Sequence, residues 1–225
     1  MQRTTIIVAG GSGTRMGGPI PKQFMLLKGK PLLCWAIEAF HAYDAAMPIV
    51  LVLPEQQITV WRTLCIGHNF HVPHEVVVGG AERFHSVKNG LAAVPHDGVV
   101  AVHDGVRPLA SADLIDRCFR AAEAYGAAIP VVPISSSVRE ITAEASRPVD
   151  RSRLRAVQTP QCFHVELLRK AFELPYDPAF TDEATLVERT GVQVHLVEGE
   201  ERNIKVTTPM DLRIAETLIA QASSQ

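Results

Sequence analysis

Short apolar runs alternate with helix-periodic stretches along most of this chain, and no other feature restricts its fold so strongly. Thr4–Ala9 (TTIIVA), Pro48–Leu53 (PIVLVL), Glu75–Val78, Gly98–Val102 (GVVAV) and Ala127–Val132 have the length and content of strands. Between them lie Pro31–Tyr43, Glu55–Gly67, Ala81–Ala93 and Ser111–Tyr125. In the first of these, Leu33, Ile37, Phe40 and Tyr43 recur at helical spacing. Apolar strands separated by helices imply a parallel sheet buried on both faces. Ligands of such sheets bind beyond the carboxyl ends of the strands. The loops after Ala9, Val78 and Val102 are therefore expected to hold the chemistry.

The alternation stops at Pro133–Val157, a polar stretch carrying Arg139, Glu140, Glu144, Arg147, Asp150, Arg151, Arg153 and Arg155. It is too long for an ordinary connection. Weak alternation in Val138–Thr142 and in Leu154–Gln158 predicts the two strands of a projecting arm over residues 134–157; a surface loop is the simpler alternative. Helices are expected over Val165–Phe172 and Asp182–Thr190, with a strand at Val192–Val197. A last helix is marked by Thr208 as cap, Pro209 in its first position and Asp211 three residues past the cap. The expected architecture is one α/β domain over residues 1–225. It is a Rossmann-like three-layer sandwich, a mostly parallel mixed sheet with a projecting two-stranded β-arm.

Charge and composition narrow the partners. The formal charge is 22 − 24 = −2, which gives no bulk attraction for nucleic acid or an anionic membrane. No apolar run approaches the ~18 residues of a membrane span, and the start has no signal-peptide core. Cys34, Cys65, Cys118 and Cys162 form no C-x-x-C pair and sit among apolar neighbours, as reduced thiols of a cytoplasmic protein do. The average charge conceals a gradient. Five cations (Arg3, Arg15, Lys22, Lys28, Lys30) precede the first carboxylate, Glu38, so the remainder carries 17 − 24 = −7.

The glycine-rich stretch after the first strand lies inside that cationic region. It reads Ala9-Gly10-Gly11-Ser12-Gly13-Thr14-Arg15-Met16-Gly17-Gly18-Pro19-Ile20-Pro21-Lys22-Gln23. It is not a P-loop, because Pro19 stands where the lysine must be, nor a dinucleotide fingerprint, because Met16 replaces the third glycine. What remains is a loop whose backbone N–H groups can approach a ligand, followed by fixed cations, which suits a polyphosphate. The pattern G-G-x-G-T-R-M-G followed by P-K-Q resembles the sugar-phosphate nucleotidyltransferases, most closely the methylerythritol phosphate cytidylyltransferases of the non-mevalonate isoprenoid pathway. Further segments resemble that family in order. They are Gly79-Gly80-Ala81-Glu82-Arg83-Phe84-His85-Ser86-Val87, His103-Asp104-Gly105-Val106-Arg107-Pro108, Val149-Asp150-Arg151, Gln158-Thr159-Pro160-Gln161, Thr181-Asp182-Glu183-Ala184 and Asn203-Ile204-Lys205-Val206-Thr207.

The resemblance implies cytidylyl transfer from CTP to a polyol phosphate. Arg15, Lys22 and Lys205 would serve catalysis, and Ala9, Gly10, Gly11, Gly13, Gly80 and Ser86 would bind CTP. Arg151, Ser137 and Asp104 would bind the acceptor, and Asp104 would also hold Mg2+, a hard cation that suits one carboxylate plus phosphates. An arm reaching over a neighbour's site implies a homodimer. Ser135-Ser136-Ser137 departs from the family's Asp-Thr, although Ser137 keeps a hydroxyl. Arg107 is read as a brace, Asp182 as a helix cap, and His68, His71 and His74 as a polar connection. Ribitol 5-phosphate is the rival acceptor, and a non-catalytic nucleotide-binding module is the rival outside enzymology.

Overall fold

A computed structural model describes residues 1–10 and 20–222. The main sheet is built from β1 (Arg3–Val8), β4 (Ile49–Leu53), β5 (Glu75–Val78), β6 (Val99–Asp104), β7 (Ala127–Pro133), β10 (Arg155–Val157), β11 (Gln161–His164) and β12 (His195–Glu198). Its order is β10-β7-β11-β6-β1-β4-β5, with β12 also paired to β7. The pairs β1–β4, β1–β6, β4–β5 and β7–β12 are parallel, while β11 and β10 add antiparallel pairings. A small ribbon, β2 (Leu26–Leu27) with β3 (Lys30–Pro31), leads into the first helix.

The helices are α1 (Leu32–Tyr43), α2 (Glu55–Gly67), α3 (Arg83–Ala92), α4 (Ala112–Tyr125), α5 (Val165–Ala171), α6 (Glu183–Glu188) and α7 (Pro209–Ala222). The two-residue period of strands distributes them over both sheet faces. Ile7, Leu51, Leu53 and Ala101 pack on one face with Leu33, Ile37 and Phe40 of α1, Trp61 of α2 and Leu114 and Phe119 of α4. Ile6, Val50, Val52 and Val102 pack on the other with Val87 and Leu91 of α3, Leu168 of α5 and Leu186 of α6. Every residue of β4 is buried, which is why the run PIVLVL shows no polar alternation. Each such side chain contributes roughly 1.5–3 kcal/mol. A third cluster, Leu27, Leu32, Leu109, Val206 and Ala215, seats α7.

The arm exists, but its strands differ from those expected. β8 (Val138–Ile141) pairs antiparallel with β9 (Ser146–Val149), from Val138 opposite Val149 to Ile141 opposite Ser146. Leu154–Gln158 is not part of it. After a 3-10 turn at Arg151–Arg153, Arg155–Val157 returns to the main sheet beside Pro133–Val131 of β7. Alternation shows that a segment can be a strand; it does not name the partner. β11, unmarked by any apolar run, inserts antiparallel between β6 and β7.

Candidate active site

The parallel strands β6, β1, β4 and β5 end at one edge, and backbone bonds fix where the loops leave. Ala9 N–H donates to Val52 O at 3.0 Å, Gly105 N–H to Val8 O at 2.9 Å and Gly79 N–H to Leu53 O at 2.8 Å. The loops after β1, β5 and β6 thus enclose a cavity of about 350 Å³ lined by Ala9, Gly10, Lys22, Gly80, Ser86, Asp104 and Lys205, among others. These are the three loops singled out by strand polarity. Gly11, Gly13 and Arg15 lie outside the described residues.

Two local devices shape the walls. Gly80 N–H donates to Ser86 Oγ at 3.1 Å, tying the loop to the first turns of α3. A Cβ at Gly80 would come within 2.3 Å of His85 Cβ, so glycine is required by close approach. On the opposite wall, Lys22 opens a 3-10 turn whose Gln23 and Phe24 are buried. Gln23 Nε2 donates to Ala9 O at 2.7 Å and to Gln57 Oε1 at 2.5 Å, fixing that turn to the end of β1. In the sequence Gln23 is marked by its place in the Pro21-Lys22-Gln23 triplet, with no role of its own.

Asp104 forms the floor. It is 7% exposed, and its Oδ2 takes Arg107 Nε at 3.3 Å and Lys205 Nζ at 3.1 Å. Arg83 Nη2 lies 3.7 Å from Oδ1, beyond hydrogen-bond reach. Burial pushes the Asp104 carboxyl up, but Arg83, Lys205 and Arg107 together outweigh it and hold the group well below the usual carboxylate range. Its backbone N–H donates to Thr159 Oγ1 at 3.1 Å. The Thr159 hydroxyl in turn meets His103 Nδ1 at 3.1 Å, and His103 Nε2 meets Arg107 O at 3.0 Å. A carbonyl only accepts, so Nε2 carries the proton and Nδ1 accepts from the threonine. Burial holds His103 down to about 4, so the ring stays neutral. It is a buried brace between Asp104 and Arg107.

Arg107 is the brace expected from its position. Besides Asp104 it donates from Nη1 to Asn203 O at 2.7 Å and from Nη2 to Val157 O at 3.4 Å. Asn203 Nδ2 donates to Thr159 O at 2.8 Å, and Val206 N–H to Val106 O at 2.9 Å. These bonds clamp both flanks of Lys205 to the Asp104 loop, which is how a residue so distant in sequence arrives there. The Lys205 side chain remains 42% exposed at the cavity.

Arg83 also lines the cavity, and Glu183, buried outside that lining, is its partner. Arg83 Nη1 is hydrogen-bonded to Glu183 Oε1. Glu183 is buried, and burial pushes its carboxyl up with Arg83 opposing. Its neighbour Asp182 caps α6, accepting from Thr185 N–H at 2.9 Å. The acid beside an evident cap was easily overlooked.

Other expected residues lie elsewhere. Ser137 and Arg151 are exposed on or beside the arm and do not line this cavity. Arg151 Nη1 instead bonds Ser135 O. His74 Nε2 accepts from Trp61 Nε1 at 3.0 Å, and His71 meets Asn69 Oδ1 at 2.8 Å.

Similarity to known proteins runs along nearly the whole chain. The sequence pattern of 2-C-methyl-D-erythritol 4-phosphate cytidylyltransferase matches residues 4–221. The enzymes of that name from Bacteroides fragilis and Phocaeicola vulgatus are 51% and 52% identical to it over 97% of this chain and all of theirs. The crystal structure of the Thermus thermophilus enzyme of that name is 34% identical with a TM-score of 0.79, covering 97% of this chain and 98% of that one. The 4-diphosphocytidyl-2C-methyl-D-erythritol synthase of Anaerococcus prevotii is 26% identical with a TM-score of 0.82, covering 97% and 96%. With the strand-edge cavity, the Asp104 floor and near-complete coverage by such relatives, this chain belongs to the 2-C-methyl-D-erythritol 4-phosphate cytidylyltransferase family of nucleotidyl-transferring enzymes.

Proposed function

We propose that the cavity binds CTP beside 2-C-methyl-D-erythritol 4-phosphate and forms 4-diphosphocytidyl-2-C-methyl-D-erythritol and pyrophosphate. An oxygen of the acceptor phosphate attacks the α-phosphorus of CTP; a new P–O bond forms as the bond to the β-phosphate breaks in line with it. A phosphate monoester is largely ionised at neutral pH, its second pKa lying near ~6, so no general base is needed. The obstacle is repulsion between anions. Lys22 and Lys205, with Arg15, neutralise charge gathering on the α-phosphate and on departing pyrophosphate. Ala9, Gly10, Gly11, Gly13, Gly80 and Ser86 hold the nucleoside and its phosphates. The observation carrying this reading is that Lys22, Lys205 and Asp104 meet Gly80 and Ser86 in one cavity.

The donor set fits a divalent cation. Among the described residues the ion-pair approach to Asp104 Oδ1 is that of Arg83 at 3.7 Å, and a single carboxylate plus substrate phosphates is a common Mg2+ environment. Asp104 would hold the ion, which when bound supplies positive charge against the phosphate oxygens. Arg107 and the His103–Thr159 pair keep that carboxylate in place.

Arg151 and Ser137 fit acceptor binding when supplied by a second copy of the chain, in a homodimer whose arms cross over each other's cavities. Three described cysteines are buried and none is paired, in keeping with a reducing cytoplasm; among the described residues no helix is long and apolar enough to cross a membrane.

Pyrophosphate release tests the reading, assayed with each nucleoside triphosphate, Mg2+ and either methylerythritol phosphate or ribitol phosphate. Release is expected with CTP and the methylerythritol ester. Release only with ribitol phosphate would move the acceptor assignment, and release with neither would return the chain to nucleotide binding without catalysis.

A further inference from the structure

We propose that Glu183 is a positioning residue: it holds Arg83 away from Oδ1 of Asp104 and so keeps that oxygen open to the divalent cation accompanying the nucleotide. The inference rests on the reading of Asp104 as the cation's carboxylate.

Arg83 stands between two buried acids. Its Nη1 is in hydrogen-bond contact with Glu183 Oε1, whereas its Nη2 stops 3.7 Å short of Asp104 Oδ1. Oδ2 of Asp104 already takes Arg107 and Lys205. If Arg83 closed on Oδ1 as well, both oxygens would carry cations and a metal ion would meet a fully engaged carboxylate. The tether preventing this is stiff. Glu183 opens α6, where Asp182 accepts from Thr185 N–H at 2.9 Å. Gln161 locks both sides of it, donating from Nε2 to Asp182 Oδ2 at 2.9 Å and accepting at Oε1 from Ala184 N–H at 3.1 Å. Glu183 Oε2 is buried without a hydrogen-bond partner, so Arg83 is the cation compensating this acid. Pulling Arg83 away would leave a buried charge unpaired, which is strongly unfavourable.

The test is the affinity of Mn2+ for the enzyme–CTP complex without acceptor, read by electron paramagnetic resonance, with circular dichroism to verify folding. Glu183→Gln keeps the shape and removes the charge. Arg83 is then expected to close on Asp104, weakening Mn2+ binding by about 10- to 100-fold, the usual cost of losing a group that orients a metal ligand. Adding Arg83→Leu to that variant is expected to restore binding, because Oδ1 is open again. Unchanged affinity in Glu183→Gln, or a double variant as weak as the single one, overturns the proposal. Should Glu183→Gln alone fail to fold, the double variant, which leaves no buried charge unpaired, decides: binding as tight as in the parent supports the role, and weaker binding overturns it. Asp104→Asn separates the underlying reading. If Mn2+ affinity survives Asp104→Asn, the cation site itself fails; if it is lost there yet kept in Glu183→Gln, only the positioning role fails.

Discussion

Asp104 gathers three cations around one carboxylate, and its titration gives the floor of the site a defined acid sensitivity. An unfolded aspartate takes up a proton near pH ~3.9. The folded carboxyl resists, because Arg83, Lys205 and Arg107 overcome the opposing effect of burial. Its contribution to stability is therefore fully present above the unfolded value and is lost as pH falls toward the folded one. Denaturant unfolding followed from about pH 6 to pH 3 should show stability falling with acid, with a shallower slope in Asp104→Asn; an identical slope would assign acid sensitivity to other groups. Lys22 answers a different question. Lys22 lines the cavity, while Gln23 and Phe24 anchor its turn. Lys22→Ala should fold normally and lose about two orders of magnitude in turnover, or ~3 kcal/mol. Unchanged turnover would remove Lys22 from the machinery. Asp104, Lys22 and Lys205 were legible because each sits in a dense motif. Glu183 was not, because a buried partner of an arginine from another helix leaves no local pattern.

Helix ends and short strands show where local signals suffice. Thr208 and Asp211 were readable as a reciprocal cap, and the structure bears this out: Asp211 N–H donates to Thr208 Oγ1 at 3.2 Å, and Asp211 Oδ2 takes the N–H groups of Thr207 and Thr208, each at 2.8 Å. This turn follows Lys205 by two residues and fixes the exit of that segment. Asp211→Ala should lower unfolding free energy by about 1–2 kcal/mol, measured by urea denaturation. A change below a few tenths would mean water replaces the cap. β4 and α4 were equally plain, the first from its unbroken apolar run and the second from Ser111, which accepts from Leu114 N–H at 3.0 Å. β10 and β11 were not. They are three and four residues long, and antiparallel insertion into a parallel sheet depends on β6 and β7 rather than on their own composition. The sheet's polarity at the site was legible because it follows from the β-α order alone; the late antiparallel strands leave that edge intact.

For the whole molecule, the arm stands apart from the main sheet, and the proposed homodimer would use it for assembly rather than folding. β8 and β9 pair only with each other among the described strands and share no ladder with the main sheet. The two core clusters draw on strands and helices outside the arm. The arm's apolar Ile141 is 75% exposed. Arg151 and Ser137 lie at its base, away from the cavity of their own chain. Replacing residues 138–149 by a short polar turn should therefore leave a folded core, because no strand of the main sheet loses a partner. In sedimentation this variant should be monomeric. Its KM for the acceptor should rise far more than its KM for CTP, since the nucleotide loops belong to one chain whereas, in the proposed homodimer, Arg151 and Ser137 come from the other. A mixture with a Lys22→Ala variant carrying an intact arm adds a direct check. In a mixed dimer of the proposed kind, the intact arm would cover the cavity of the shortened chain, whose Lys22 is unaltered. Mixing two nearly inactive proteins should thus restore turnover. A fully active monomer, equal losses for both substrates, or no recovery on mixing would show that each chain completes its own site.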